Sequence, residues 1–518
     1  MKISILAAGK GTRMGPVDSN LNKALLPIRN KAIISHIMDF FPIDSEFVVA
    51  IGHKSQQVID YLSAAHPEKK ITFVKVDNID GPGSGPAYSL LCCKNELQEP
   101  FINIPCDALI FSDLKSAPKG NWVGTKQVDP ELSKNYCNFL VKDGIVTEIK
   151  DKEKCDSNFL AWSGLVYVHD YKDFWESLSN PTVIAGEHQI SNGLNGLING
   201  SGLLAVEVNW IDLGDAEKYY TEKKKENKYD FSKIDEAIYF VNDKVIKFFA
   251  DKKIVENRIK KANLKPKVFP KISRTGENFY SYQFSHGKIL YESSTTKIFD
   301  CLLNWLDENL WINVDIPPEK IKNLCYEFYR EKTIKRIDHF KEKNPNYKSP
   351  KSVNGTNLAE MESILKKIPW DYICDGKPSF IHGDLNFDNI IYDDFQKKFL
   401  LIDWRQDFAG ELEFGDLYYD LAKIYGGIFL NYDCIKQGFF NYVLENDNVF
   451  IDFARRISFD LYLQIFENFI QKHDLDMKKV RMINAISYLN MAPLHNDPYD
   501  KVLMSLGLLL LSKELEDI

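Results

Sequence analysis

At 518 residues the chain is longer than one hydrophobic core accommodates and predicts two domains of about 200–300 residues each. Apolar residues at 44% and charged residues at 27% describe a globular protein, and a net charge of −8 provides no footprint for nucleic acid or an anionic membrane. The nine cysteines include no Cys-x-x-Cys pair or Cys/His cluster with zinc spacing, so core thiols in a reducing cytoplasm are expected. Met1-Lys2 leads straight into an apolar strand, leaving no room for a signal peptide, and the longest apolar stretch, 502–511, falls short of a bilayer span.

Residues 3–8 read as a buried strand running into Gly9-Lys10-Gly11-Thr12-Arg13-Met14-Gly15. Glycines there let the backbone approach a ligand, and successive N–H groups can cradle phosphate oxygens. Lys10 and Arg13 add charge suited to a triphosphate, and Lys23 follows in Asn22-Lys23-Ala24-Leu25-Leu26-Pro27. Helical pattern at 32–41, a strand at 46–51, a helix at 55–64 and a strand at 71–76 continue an α/β alternation. Gly83-Ser84-Gly85 then opens a helix near Tyr88, with backbone donors that can read a base or ribose. Residues 101–107 form an apolar strand ending in Asp107, where open α/β sheets bind ligands.

The ordered set formed by Leu6, Ala8, Gly9, Gly11, Thr12 and Arg13, followed by Lys23, resembles the signature of sugar-phosphate nucleotidyltransferases. Ala161-Trp162-Ser163-Gly164 resembles that family's substrate-side strand and loop, and Trp210-Ile211-Asp212-Leu213-Gly214 its W-x-D-x-G pattern. The resemblance covers about residues 1–220 and implies a Rossmann-like sheet whose first loop binds an NTP. It also implies that Asp107 and Asp212 hold one Mg²⁺, with Arg13 and Lys23 nearby to neutralise charge at the α-phosphorus. Lys150, Lys152 and Glu187 are lesser candidates for substrate contacts.

Residues 217–232 are charged and read as a helix running into a linker, dividing a domain at 1–225 from one at 229–518. The second domain opens with a β-hairpin at 237–249 around Asn242-Asp243. Lys247 on its second strand and Glu256 on the following helix best fit the lysine–glutamate pair that grips nucleotide phosphates in kinase-like folds. No glycine-rich loop precedes Lys247, so the small lobe, about 229–285, reads as abbreviated. A strand over 279–284 leads to a hinge near Gln283–Ser285, where backbone groups could hold adenine. The large lobe, about 286–518, is helical over 291–370 except for a polar loop or lid at 342–355.

His382-Gly383-Asp384-Leu385-Asn386-Phe387-Asp388-Asn389 precedes an apolar run, Phe399-Leu400-Leu401-Ile402, ending in Asp403. Phosphoryl transfer needs a carboxylate beside the attacking hydroxyl and oxygen ligands that place Mg²⁺ on the phosphates, and Asp384, Asn389 and Asp403 supply all three in order. A turn-rich hairpin whose acids merely cap turns is the plain alternative. The stretch resembles the choline kinase and aminoglycoside phosphotransferase family, which implies an α+β kinase-like domain. In it Asp384 is the base or hydroxyl-orienting group and Asn389 and Asp403 are metal ligands. Asp416 and Asp420 are expected to brace the catalytic loop, and 431–518 is expected to be helical throughout, with His495 facing an acceptor pocket or ending a helix.

Together the two resemblances imply a bifunctional enzyme in the cytoplasm. One half would phosphorylate a sugar, polyol or amino alcohol with ATP, and the other would join the phosphate to an NMP from CTP, UTP or GTP. Choline or ethanolamine with CTP is the alternative acceptor system, and a nucleotidyltransferase regulated by a degenerate kinase is the alternative of another class. No nucleic acid or membrane partner is expected, and a homo-oligomer stays open.

Overall fold

A computed structural model describes residues 1–179, 183–184, 187–225, 235–455 and 458–516. The described residues fall into two compact units. One holds the chain from Met1 to Asp251 together with Arg274–Ser281, and the other holds Lys252–Ser273 and the chain from Tyr282 onward. The linker expected to end at 232 lies, beyond Lys225, outside the described residues.

The first unit is built on a nine-stranded sheet. From one edge its strands run Lys70–Lys75, Glu46–Ile51, Lys2–Ala7, Phe101–Pro105, Phe159–Val168, Trp122–Lys126, Leu204–Glu207, Ile145–Asp151 and Cys137–Lys142. The first four are parallel; the near-continuous apolar runs of the three inner ones are what a sheet buried on both faces demands, while the edge strand Lys70–Lys75 is half-buried to exposed. From Lys2–Ala7 the chain builds outward to one side through residue 75, then crosses to the other side at Phe101–Pro105. The strand order thus reverses between these two strands, which are paired Leu6 to Pro105. Loops leaving their carboxyl ends therefore meet at the switch point of the sheet. A second ladder, Trp210–Asp212 against Ala108–Ile110, sets Asp212 opposite Ala108 and so brings it alongside Asp107.

The hairpin Glu236–Val241/Lys244–Phe249, assigned from sequence to the phosphotransferase half, packs within this first unit. Tyr239, Val241, Ile246, Phe248 and Phe279 share an apolar core with Tyr61, Leu62 and Ala65 of the helix Ser55–Ala65. The Tyr239 hydroxyl donates to the Leu25 carbonyl at 2.8 Å, its ring lies 4.7 Å from Tyr61, and Asn242 Nδ2 donates to the Ala65 carbonyl at 3.0 Å. Period-2 alternation identifies such a hairpin and its apolar face, but not the surface that covers it.

The second unit is α+β, as expected. Its helices, including Thr296–Asn309, Leu417–Phe429, Met477–Met491 and Tyr499–Leu515, enclose one apolar core that takes in Trp404 and, from the loop 382–389, Leu385 and Phe387. Gly427 permits the helix Leu417–Phe429 to back directly onto that loop, since a Cβ there would lie 2.7 Å from the Phe387 ring. The strand pair Ile390–Asp393/Lys398–Leu401 carries the loop's exit.

The stretch 431–518 is not helical throughout: Phe440–Glu445 and Asn448–Phe453 form an antiparallel hairpin. Its turn, Asn446-Asp447, is left-handed (φ 49° and 66°), as is Asn242-Asp243 (φ 50° and 57°), the backbone that a tight hairpin requires. The polar segment 342–355, expected as a loop, ends in the strand Ser352–Val353, which pairs with Asn448–Phe453 in a four-stranded sheet. Among the described residues no helix is long and apolar enough to cross a membrane.

Candidate active sites

In the first unit the glycine loop, Lys23, Ser84, Gly85 and Asp107 line a cavity of about 420 Å³. A second cavity, about 200 Å³, is lined by Tyr136, Trp162, Ser163, Gly164, Trp210 and Asp212, and shares Arg13, Asp107 and Lys152 with the first. The shared residues are those that would meet a phosphate joining two ligands. Lys23, only 9% exposed, places its ammonium 2.6 Å from Asp107 Oδ2 and 3.0 Å from the Gly214 carbonyl. Asp212 pairs with Lys218 and accepts from the Tyr136 hydroxyl at 3.0 Å and the Gly214 N–H at 2.7 Å. Burial raises the Asp212 carboxyl, but these donors and the Lys218 charge outweigh it and hold it below the usual carboxylate range.

Gly214 ties the set together. A Cβ at this position would lie 2.7 Å from Asp212 Oδ1 and 3.7 Å from both Asp107 Oδ2 and Arg13 Nη2. Two carboxylates and a guanidinium thus converge on one point, each acid already neutralised by a lysine. Two hard oxygen donors with phosphates to complete the shell are what Mg²⁺ takes, so Asp107 and Asp212 fit that ion. Among the described residues no group of three or more His, Cys, Asp or Glu side chains forms a denser metal site.

In the second unit Asp420, fully buried on the helix Leu417–Phe429, holds the loop 382–389 from behind. Its carboxylate accepts from the His382 and Gly383 N–H groups, both at 2.7 Å, and from Trp311 Nε1 at 3.1 Å. Asp416 accepts from the Lys377 N–H at 2.9 Å and the Tyr329 hydroxyl at 2.8 Å. Both acids brace structure. His382 is buried too: its Nε2–H donates to the Ile402 carbonyl at 2.9 Å and its Nδ1 accepts from the Asp384 N–H at 3.2 Å. Burial pulls its pKa down to about 3, so the imidazole is neutral, as that hydrogen-bond pattern requires.

Asp384, on the loop so fixed, accepts from Asn386 Nδ2 at 2.9 Å and lies 3.1 Å from the Lys423 ammonium. Asn389 Nδ2 donates to the Asp384 carbonyl at 2.8 Å, turning its side-chain oxygen away from that bond. Asp403 has left-handed backbone (φ 60°), a strained state for a residue with a side chain and one that clusters at functional sites. Arg258 Nη1 lies 3.3 Å from Asp403 Oδ1. The oxygens of Asn389 and Asp403 suit Mg²⁺ on a nucleotide, and Asp384 suits orientation of a hydroxyl.

Most of the residues expected in the first site line its two cavities, Leu6, Ala8, Gly9, Gly11, Thr12 and Arg13 included, whereas Gly83 does not. Lys152 and Glu187 do, and Lys150 instead lies over the Phe159 ring at 4.6 Å. Lys247 is buried on its strand in the first unit, while Glu256 is half-buried on Lys252–Leu264 in the second. Gln283 is exposed, and Ser285 Oγ accepts from the Gly287 N–H at 3.4 Å. Sequence missed Lys218, Tyr136, Arg258 and Lys423. Lys423 had one available signal, its place one turn beyond Asp420 on the same helix.

Residues 3–113 match the family model for the MobA-like NTP transferase domain, and residues 329–438 match that of the phosphotransferase enzyme family. A bifunctional protein GlmU from Methanocaldococcus jannaschii is 29% identical over 240 residues, 43% of this chain and 55% of that protein. The UTP–glucose-1-phosphate uridylyltransferase AglF of Haloferax volcanii is 24% identical over 227 residues, 41% of this chain and 91% of that protein. A crystal structure of UDP-glucose pyrophosphorylase with UDP-glucose aligns at 20% identity and TM-score 0.38, over 43% of this chain and 97% of the other. The chain spans about half the length of the GlmU relatives it matches. Its first part is thus similar to nucleotidyltransferase domains and its later part to the phosphotransferase family.

Proposed function

We propose that the chain is a bifunctional kinase and nucleotidyltransferase. The observation that carries the reading is the presence on one chain of two candidate residue sets: Asp107, Asp212, Arg13 and Lys23 in the first unit, and Asp384, Asn389 and Asp403 in the second. Asp384 orients a hydroxyl of a sugar or small alcohol for attack on the γ-phosphorus of ATP and takes its proton late. The phosphate so formed is the nucleophile of the second reaction, in which its oxygen attacks the α-phosphorus of an NTP and pyrophosphate leaves. Arg13 and Lys23 face the charge that builds there; Asp107 with Asp212, and Asn389 with Asp403, would hold Mg²⁺, which would add positive charge at each site. The names of the relatives, a uridylyltransferase acting on glucose 1-phosphate among them, support a sugar-phosphate class for the second reaction. The product is then a nucleotide-activated precursor of the kind bacteria use for surface polysaccharides.

The test separates the two reactions. Asp384→Asn is expected to bind Mg·ATP as wild type does, to fail in acceptor phosphorylation, and to keep pyrophosphate release when a phosphorylated acceptor is supplied. Full kinase activity in Asp384→Asn sinks the assignment of the base. ATP binding by wild type without phosphorylation of any sugar, polyol or amino alcohol favours a regulatory domain instead.

A further inference from the structure

Beside Asp384 the described residues of the second unit gather several basic side chains. Lys332 and Arg336, one turn apart on the helix Lys332–Lys343, are both half-buried. Lys332 Nζ lies 4.2 Å from the Phe328 ring centroid and the Arg405 guanidinium 4.9 Å from the same centroid. Arg405 is held beside the catalytic loop: its N–H donates to the His382 carbonyl at 3.0 Å, and its Nε donates to the Asp407 carbonyl at 3.1 Å. Lys423, 9% exposed, stands 3.1 Å from Asp384 itself. Among the described residues Lys332, Arg336 and Arg405 form no ion pair, while the Asp384 carboxylate pairs with Lys423 and acts on Lys332.

Like charges one turn apart on a helix repel, and burying them costs more. Burial, followed by the fields of Arg405, Lys423 and Arg336, pulls the Lys332 ammonium down to about 6. A cluster kept for stability would be expected to carry its own counter-charges. The helix here is also reached through a π-helical turn, Tyr326–Glu331, a distortion frequent at functional sites, which carries Phe328.

We infer that the hydroxyl acceptor of the phosphotransferase site bears a carboxylate or phosphate, received by Lys332, Arg336 and Arg405 while Asp384 orients its hydroxyl. The inference rests on the kinase reading above. The two guanidiniums offer the forked donors that carboxylate and phosphate take in bidentate fashion, and a bound anion would restore the proton to the Lys332 amine. The same arrangement excludes choline. Its cation would face the charges of Arg336, Arg405 and Lys423, and two rings of the cluster already hold the protein's own side chains: Phe328 those of Lys332 and Arg405, Tyr419 that of Lys423.

The test uses the full chain with Mg·ATP and hydroxyl compounds in matched forms: glycerol, glycerate and glycerol phosphate; glucose, glucuronate and glucose 6-phosphate; and choline. ADP release gives KM and kcat, and calorimetry gives binding of each compound and of Mg·ATP. An anionic member is expected to have a KM at least about 10-fold below its neutral twin, and which anion wins separates carboxylate from phosphate. Lys332→Met and Arg336→Gln should each raise that KM about 10-fold or more with a smaller change in kcat. Arg336→Lys should recover part of the loss, and Mg·ATP affinity and pyrophosphate release should stay as in wild type. A preference for glycerol, glucose or choline overturns the inference, as does a loss of Mg·ATP affinity in the variants, which assigns the cluster to the nucleotide. If wild type phosphorylates nothing, the kinase reading falls by itself. Binding of an anion that the variants lose then upholds the anionic pocket, and no anion binding removes it.

Discussion

His382 carries no reacting atom, yet it decides where Asp384 sits, because its neutral ring bridges the Ile402 carbonyl and the Asp384 N–H. That role has a sign in pH. The folded value, about 3, lies below the ordinary 6.5, so between these values the unfolded chain binds more protons. The stabilisation is full above about 6.5 and drains away as pH falls through that window, by about 1.4 kcal/mol per pH unit. Comparing urea midpoints of wild type and His382→Gln from pH 7 to pH 5 isolates it: wild type should lose its advantage on acidification, and parallel curves would refute the claim. In the first unit, Asp107→Asn takes the acid from Lys23, Asp212→Asn leaves Lys218 with Asp215 at 3.3 Å, and either change removes half the donor set proposed for Mg²⁺. Pyrophosphate release should fall about 100-fold or more, with ATP consumption by the other reaction intact, and near-wild-type release in both variants would exclude these acids. At this scale the sequence was most legible where chemistry forces a spacing, as in Asp384 with Asn389. Lys218, Arg258 and Lys423 stayed hidden because a lysine or arginine at their positions looks like any solvated charge, and only folding brings it to an acid.

At the scale of elements, the switch point of the parallel strands was readable because buried strands and glycine turns have strong local signals. The partner of the hairpin Glu236–Val241/Lys244–Phe249 was not, since its apolar face would fit either half of the chain. Its packing makes it part of the nucleotidyltransferase unit's core. Tyr239 is fully buried against Tyr61, and its hydroxyl ties to the segment that follows Lys23. Tyr239→Ala should therefore cost about 3–5 kcal/mol and lower the thermal midpoint of pyrophosphate-releasing activity. A fragment ending at Lys225 should be less stable than the full chain for the same reason, exposing Tyr61, Leu62 and Ala65. A fragment with the full chain's midpoint would show that the hairpin adds nothing to this core. The second hairpin, at 440–453, was masked by the aromatic residues around it, which suit a helix face as well as a strand; its Asn-Asp turn was the one local cue.

For the whole molecule the proposed reactions form a sequence, since the phosphate made by one residue set is the nucleophile required by the other. The sets share no residue, so each can be removed without touching the other's chemistry. Asp384→Asn alone should make no activated product from an unphosphorylated acceptor. Asp107→Asn alone should consume ATP and accumulate the phosphorylated acceptor without releasing pyrophosphate. Mixed in one tube with acceptor, ATP and NTP, the two variants should restore product after a lag, because the intermediate is a stable phosphomonoester that can leave one molecule and enter another. The lag should shorten as the Asp384→Asn protein, which carries the working nucleotidyltransferase set, is raised, in the manner of two consecutive enzymes. Product from either variant alone would break the assignment of its residue. A mixture that accumulates phosphorylated acceptor yet yields no product would show that the second set accepts the intermediate only from its own chain, which separate sites joined by diffusion do not allow.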